Sequence, residues 1–410
     1  MLTVLTVEEA QKKVLENVSF QGRSEIVSLE QALGRVAAKD VYSPEAAPPF
    51  NRSTMDGFAV RASDTFGATE SMPAFLSLAG EILMGEAPPR RLEPGEAMAI
   101  ATGGMLPEGA DTVLMVEYAE KLGADEIAAY KPVVPGENIL RRGEDYEKGE
   151  KILPSGQRLR PQDLGALAGL GIREIEVNLP PQVAIVSTGD ELVTPEKTPA
   201  PGQIRDINSL TLSSLVKKTG GVAHRMGIVA DRREALREAL EQALKKADLV
   251  VISGGSSVGV RDVTARVIEE LEGGDLFFHG VSMRPGKPLI FGISCGKPVF
   301  GLSGNPVSAM IGFQLFVAPA INKMQGLPPL EEYPRIVEAR LSRRLASASG
   351  REDFVRVKLE RTKEGLLEAI PLFGQAGLIK TMVQGIGLVR IGQNEEGYEE
   401  GERVKVYLFD

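Results

Sequence analysis

The 410-residue chain carries a single cysteine, Cys295, and two histidines, His224 and His279. One thiol permits no internal disulfide, and this supply cannot assemble a Cys/His zinc site from one chain, so disulfide frameworks and structural zinc are excluded. Long apolar runs are missing as well. No stretch reads as the roughly 18 apolar residues of a membrane span, which predicts a protein without a transmembrane segment or membrane partner. The opening MLTVLTVEEAQKKVLENV reaches Glu8 and Glu9 before any apolar core is built, so no export signal is expected and the expected location is cytoplasmic. Lysine and arginine number 47 against 56 aspartates and glutamates, a formal charge of −9. That balance argues against nucleic acid as a partner while leaving room for a small anion in a local basic pocket. With 43% hydrophobic and 25% charged residues the composition is that of a folded protein. Its length predicts roughly two to four domains.

What is abundant is punctuation, with 45 glycines and 26 prolines. Proline clusters at Pro44, Pro48 and Pro49, at Pro180 and Pro181, and at Pro328 and Pro329 mark candidate boundaries. With the pattern of elements they predict a split N-terminal segment, 1–44 with 149–178, around a β-rich inserted lobe, 45–148, where AMAIATGG and DTVLMVEY read as short strands. An α/β domain, 179–326, and a C-terminal β domain, 327–410, follow. The run from Thr6 to Asn17 has helical spacing, with Thr6 as N-cap and Glu9 behind it. Between Gln182 and Gln325 strands and helices alternate, the signature of a parallel sheet with helices on its faces. Val183–Ser187 and Asp248–Ser253 are continuous apolar runs, as strands buried on both sides require. Ser209–Thr219, Asp231–Lys246, Asp262–Glu272 and a run from Asn305-Pro306 to about Met324 read as helices. Beyond Pro334, the alternation in Phe354–Glu360, Leu388–Ile391 and Arg403–Phe409 predicts a small closing β-barrel or sandwich.

Ligands of an open α/β sheet bind beyond the carboxyl ends of its strands, so the loops after the two apolar strands come first. One reads Ser187-Thr188-Gly189-Asp190-Glu191-Leu192 and offers hydroxyls and carboxylates. The other, SGGSSVG at 253–259, holds Gly254 and Gly255, whose freedom suits either an anion nest or a plain tight turn. In RPGKP, 284–288, Arg284 and Lys287 sit on a proline-stiffened turn that suits a multiply charged oxyanion, with a solvated turn as the alternative. It is no Walker A loop, because the glycine spacing is wrong and Pro288 follows the lysine. Glu191, Asp231 and Asp262 fall at strand or helix ends and are oxygen donors of the kind Mg²⁺ prefers. Taken singly, Asp231 and Asp262 are better explained as helix N-caps. GSSVG matches G-x-S-x-G, but His279 follows Ser257 too closely and His224 precedes it. A serine hydrolase is disfavoured, and both histidines are expected at strand ends or in packing. NRSTMDGFAV and ILRRGED pair charge with glycine in loops, and Ala101-Thr102-Gly103-Gly104 ends a strand with a hydroxyl.

In order and across nearly the whole chain, the phrases PPFNRSTMDGFAV, ATGGMLPEGADTVLMVE, LRRGEDY, VSTGDEL, SGGSSVGVRD, RPGKP and GLSGNPVSA resemble the molybdopterin molybdenumtransferase family, the molybdenum insertases related to the E domain of gephyrin. The resemblance implies an α/β multidomain chain: a molybdopterin-binding α/β domain with a parallel sheet, a β-rich inserted lobe, a split N-terminal segment and a C-terminal small β-barrel. It implies a homodimer whose cleft takes residues from both subunits. It implies insertion of molybdate, or tungstate, into adenylyl-molybdopterin, with Mg²⁺-assisted cleavage of the anhydride and release of AMP. Carried over by motif, Asp56, Thr102, Asp145, Glu191, Asp231 and Asp262 take catalytic positions, and Glu191, Asp231 and Asp262 hold Mg²⁺. Gly254, Gly255, Ser257, Arg284, Lys287, Pro288 and Arg351 take the phosphate and oxyanion side. The chain departs from the family at Ser303, where a proline is usual, and in Phe373-Gly374-Gln375-Ala376-Gly377, where a serine is replaced and backbone N–H groups are the available substitute. Molybdopterin adenylyltransferase is the expected transient partner. It is also the nearest alternative reading, sharing the logic of 182–325 but having no use for NRSTMDGFAV or a C-terminal β domain. A gephyrin-like binding scaffold is the other alternative, against which the carboxylates Asp56, Glu191, Asp231 and Asp262 argue.

Overall fold

The computed structural model describes residues 4–254, 258–328 and 336–409, the side chains of 258–262 apart. Gly255, Ser257 and the carboxylate of Asp262 therefore lie outside the described residues. The chain forms two compact units, one of Ile26–Leu33 with Lys39–Ile175, the other of Met1–Glu25, Gly34–Ala38 and Glu176–Asp410.

The first of these is built on strands β1 (Gly57–Val60), β2 (Ala74–Ile82), β3 (Glu96–Ile100), β4 (Thr112–Met115), β5 (Ala119–Lys121) and β6 (Glu126–Ala129). They form one sheet in the order β4-β1-β3-β2-β6-β5. Its centre is buried on both faces: Phe58, Val60 and Leu114 pack in one cluster and Ala59, Met98 and Val113 in another. Alternate residues of a strand point to opposite faces, so the short run GFAV serves both cores.

In the second unit, α1 (Val7–Asn17) opens with the expected capping box. The Glu9 N–H donates to Thr6 Oγ1 (3.2 Å) and the Thr6 N–H to Glu9 Oε2 (2.9 Å). The Thr6 N–H, and then the Thr6 hydroxyl donating to the same oxygen (3.0 Å), hold the Glu9 carboxyl below its usual range. The elements that follow are β7 (Gln182–Thr188), α2 (Asn208–Thr219), β8 (Val222–Val229), α3 (Arg233–Lys246), β9 (Leu249–Gly254), α4 (Val258–Glu270), β10 (Asp275–His279), β11 (Met283–Arg284), β12 (Ile290–Ser294) and β13 (Lys297–Leu302). A six-stranded sheet runs β8-β7-β9-β13-β12-β10, parallel across its first four strands. Val183, Ile185, Leu249 and Val251 face α2, while Ala184, Val186, Val250 and Ile252 face α3 and α4. Leu236, Leu240 and Leu244 form the buried stripe of α3, each contributing about 1.5–3 kcal/mol by burial.

Two helix starts differ from expectation. Helix α3 begins after Arg232, and the Asp231 carboxylate instead accepts the Thr188 hydroxyl, a partner at the end of the neighbouring strand. Helix α4 begins at Val258, one turn before Asp262, so that residue is not an N-cap. The helical stretch after β13 is α5 (Pro306–Gly312) and α6 (Ala318–Met324), joined by a π-helical turn, Phe313–Val317. By length and composition Pro306–Met324 is apolar enough to cross a membrane, contrary to the expectation that no such run exists. Two thirds of it is buried in this fold, where Val307, Ile311, Phe313, Phe316 and Ile321 join the core beneath the sheet, so its apolarity is that of a core helix.

The chain closes with β14 (Ile336–Leu341), β15 (Glu352–Arg361), β16 (Leu367–Pro371), α7 (Lys380–Gln384), β17 (Gly387–Ile391) and β18 (Arg403–Leu408). The order β15-β16-β14-β18-β17 returns to β15, closing a five-stranded barrel around Val357, Ala369, Val389 and Val406. Closure removes the sheet edges that would otherwise invite association.

Candidate functional site

The connections leaving β7 and β9 run to opposite sides of the sheet, so the crevice beyond their carboxyl ends is its switch point, where open α/β sheets bind ligands. Thr188 and Gly254 are register partners there. The Thr188 hydroxyl donates to Asp231, and the Asp231 N–H donates to Asp190 Oδ1 (3.2 Å). Glu191 folds back over the loop, its Oε2 only 2.8 Å from where a Cβ on Gly189 would stand. Asn208, the first residue of α2, donates from Nδ2 to Ser253 Oγ and to Gly304 O, both at 2.8 Å. It thereby ties the end of β9 to the GNP turn, and its buried Oδ1, like Ser187 Oγ, has no partner among the described residues. Sequence reasoning missed Asn208, whose only signal was a polar residue at a helix start one strand away from its partners. Among the described residues no three His, Cys, Asp or Glu side chains converge on a metal position.

The structure thus brings Thr188, Glu191, Asp231 and Gly254 to one crevice. In the other unit, Asp56 Oδ1 accepts from the Thr102 N–H (2.7 Å) and hydroxyl (2.9 Å). The backbone bond, then the hydroxyl, hold the Asp56 carboxyl below its usual range. The tie is intact above the ordinary carboxylate range and is lost as pH falls through the lowered value. Asp145, exposed in the same unit, donates its N–H to Ala47 O (3.0 Å) and is not hydrogen-bonded to that pair. His224 lies within β8, with Nε2 2.7 Å from Gln182 Oε1, and His279 ends β10.

A second cavity, of about 1020 Å³, opens between the RPGKP turn, the GNP turn and the barrel. Met283 and Arg284 pair with Glu352 and Asp353 as an added parallel strand on the barrel, which carries the turn onto it. Among the described residues lining the cavity, Arg284, Lys287, Arg351 and Arg356 are cationic and Asp353 is anionic. Arg351 Nε donates to Asp353 Oδ1 (2.9 Å), and Arg284 Nη1 stands 4.0 Å from Asp353 Oδ2. Pro288 and Phe373 to Ala376 also line it, with the Arg343 guanidinium 4.6 Å from the Phe373 ring centroid. Ser303 is buried and accepts the Asn305 N–H (3.3 Å), so the turn has a local brace. Arg356 was also missed. Phe354 and Arg356 share one face of β15, and the neighbouring Val355 and Val357 face the barrel interior. The alternation was readable, but which face looks into a cavity was not. Burial, and secondarily Arg284, push the Arg356 guanidinium below its ordinary value, yet it stays protonated.

The family descriptions "MoeA N-terminal region (domain I and II)", "Probable molybdopterin binding domain" and "MoeA C-terminal region (domain IV)" match residues 5–171, 184–323 and 338–409. A putative molybdopterin biosynthesis protein of Methanocaldococcus jannaschii is 39% identical, covering 99% of this chain and 98% of its own. A molybdopterin molybdenumtransferase of Haemophilus influenzae is 35% identical over 99% of both chains. A solved molybdopterin biosynthesis MoeA protein of Pyrococcus horikoshii superposes with a TM-score of 0.85 at 34% identity, covering 99% of this chain and all of its own. The chain therefore belongs to the molybdopterin molybdenumtransferase family, the MoeA-type transferases of molybdenum cofactor biosynthesis.

Proposed function

We propose that this chain, as a cytoplasmic homodimer, inserts molybdate into adenylyl-molybdopterin, with cleavage of the phosphoanhydride and release of AMP. The observation that carries the reading is the charge of the large cavity, four cations against one carboxylate. A tetrahedral dianion such as molybdate or tungstate is the complement of such a site, because each cation about 4 Å away contributes roughly 4 kcal/mol per unit charge at an effective dielectric of 20. In this reading Arg284, Lys287 and Arg351 draw the oxyanion, and Pro288 stiffens their turn. Gly254, with Gly255 on the motif, meets the phosphate side, and Ser257 joins the oxyanion side on the strength of the motif. Thr188 orients the Asp231 carboxylate through its hydroxyl.

The hard oxygen donors Glu191 and Asp231 fit Mg²⁺, which keeps several waters and takes few protein ligands. Asp262 joins them on the strength of the motif. When bound, the ion supplies Lewis-acid polarisation of phosphate oxygens. Asp56, Thr102 and Asp145 are assigned to the reaction from the other unit. A molybdopterin adenylyltransferase, meeting the enzyme transiently, is the proposed source of the adenylylated substrate.

The test is incubation with adenylyl-molybdopterin, Mg²⁺ and either oxyanion, followed by AMP release and pterin-bound metal. AMP release that depends on an oxyanion supports the insertase. Tight pterin binding without release indicates a scaffold, and adenylylation of pterin from ATP indicates the earlier enzyme. Within the same assay, Lys287→Ala is expected to raise the molybdate KM about tenfold, the loss of one charge-assisted hydrogen bond. Pterin affinity should stay within about twofold, since the lysine's contact is with the oxyanion. Equal losses for both ligands would refute that assignment.

A further inference from the structure

Resting on the proposed reaction, with phosphate in the crevice and oxyanion in the cavity, we propose that Asn208 is a positioning residue that sets the spacing between these two sites. On the side facing α2, β7 and β9 are apolar through Val183, Ile185, Leu249 and Val251. The next positions on that side are Ser187 and Ser253, register partners that are each 1% exposed. Asn208, 7% exposed, reaches Ser253 from the first turn of α2, and its Nδ2 divides two protons between Ser253 Oγ and Gly304 O, each at 2.8 Å. The start of α2 is itself held by buried Asp206, whose Oδ1 accepts the Ser209 N–H (3.1 Å) and whose N–H donates to Val193 O (2.9 Å). Apolar side chains would fill this layer without unmet polar atoms, yet Asn208 Oδ1 and Ser187 Oγ have no partner among the described residues. Unpaired buried polar atoms are destabilising, so the layer is kept for the geometry it imposes.

That geometry joins the two sites. Ser253 precedes Gly254, the last residue of β9 and the entry to the SGGSSVG phrase. Gly304 lies between Ser303 and Asn305, both of which line the large cavity. The two segments also approach each other directly, since a Cβ on Gly304 would stand 3.5 Å from Gly254 Cα. Packing of this kind sets a closest approach but no upper limit. The Asn208 amide supplies that limit, because its two donors leave one planar group in fixed directions. An aspartate in its place has no amide donors, and a glutamine carries them one carbon too far. Reaction between groups held in the two sites needs their atoms about 3–3.5 Å apart, and a misplacement of about 1 Å costs on the order of 100-fold in rate. Loosening the spacing therefore lowers turnover, while each site keeps its own side chains and its own affinity.

Steady-state AMP release from adenylyl-molybdopterin with Mg²⁺ and molybdate tests this, beside hydrogen exchange of the protein without substrates. Asn208→Leu, nearly isosteric and without donors, should lower kcat about 100-fold while the pterin and molybdate KM values both hold within about threefold. Its exchange should quicken at the end of β9 and at the GNP turn together. Ser253→Ala keeps the bond to Gly304 O, so it should lower kcat about tenfold and quicken exchange at the end of β9 alone. It carries the test if Asn208→Leu fails to fold. The double variant should match Asn208→Leu, because Ser253 acts through the amide. Ser213→Ala removes another buried hydroxyl of α2, one that donates to Leu210 O of the same helix (2.9 Å), and should leave kcat unchanged. An unchanged kcat in Asn208→Leu, a loss carried wholly by one KM, or an equal loss in Ser213→Ala overturns the spacing role and leaves the proposed reaction standing. Absence of oxyanion-dependent AMP release from the unaltered protein fells the proposed reaction, and the spacing role with it.

Discussion

Asp231→Ala should lower AMP release by on the order of 100-fold or more while leaving the thermal midpoint almost unmoved. The activity figure follows from the place of the carboxylate in the proposed reaction. Groups that merely support a metal ligand already cost roughly 10–100-fold when removed, and Asp231 is assigned to the ion and the phosphate directly. The stability side follows from geometry. A helix N-cap would lose about 1 kcal/mol or more, but α3 begins after Arg232 and owes Asp231 no cap. What disappears is one hydrogen bond from the Thr188 hydroxyl at a half-buried position, a net loss of about 1 kcal/mol. The Asp231 N–H that Asp190 Oδ1 accepts belongs to the backbone of residue 231 and survives the substitution. Turnover within tenfold of the unaltered enzyme would remove Asp231 from the reaction, and a large fall in the midpoint would make it a structural residue instead.

What the sequence made legible is what depends on local pattern. The strands β7 and β9 were readable because burial on both faces leaves no polar position in VAIV or LVVI, and β15, β17 and β18 because one face of a small barrel is apolar. The GNP turn and the RPGKP turn were readable as phrases. The failures share a different cause, partners remote in sequence. Asp231 looks like a cap to its own neighbours and is claimed by Thr188, which belongs to another strand. Asn208 is an ordinary helix-start residue until β9 and the GNP turn arrive at its amide. Arg356 reads as an exposed charge on an alternating strand until α7 and the 372–377 loop close over it. Pro306–Met324 was readable as a helix from its N-cap and proline, although its length and composition alone would equally suit a membrane span, because apolar residues count burial and do not say in what. The part of the site that resembles the family lies in short contiguous phrases, and the part that holds those phrases together does not.

Gly254→Ala should destabilise the unit that contains the parallel sheet by roughly 3 kcal/mol, the joint cost of overpacking and of a strained backbone. Gly254 ends β9 with φ +147°, and a Cβ there would stand 2.0 Å from Thr188 O and 2.6 Å from Thr188 Cγ2. The carbonyl belongs to the register partner in the adjacent strand, so relief requires the two strand ends to part. Gly227→Ala separates the two costs. Gly227 has φ +93° in β8 with open space where its Cβ would go, so it carries backbone strain alone, about 1 kcal/mol. Differential scanning calorimetry of both variants reads the difference, and equal shifts would overturn the contact argument. Because the displaced residue is Thr188, whose hydroxyl holds Asp231, whatever Gly254→Ala protein remains folded should also lose AMP release, which Gly227→Ala should retain.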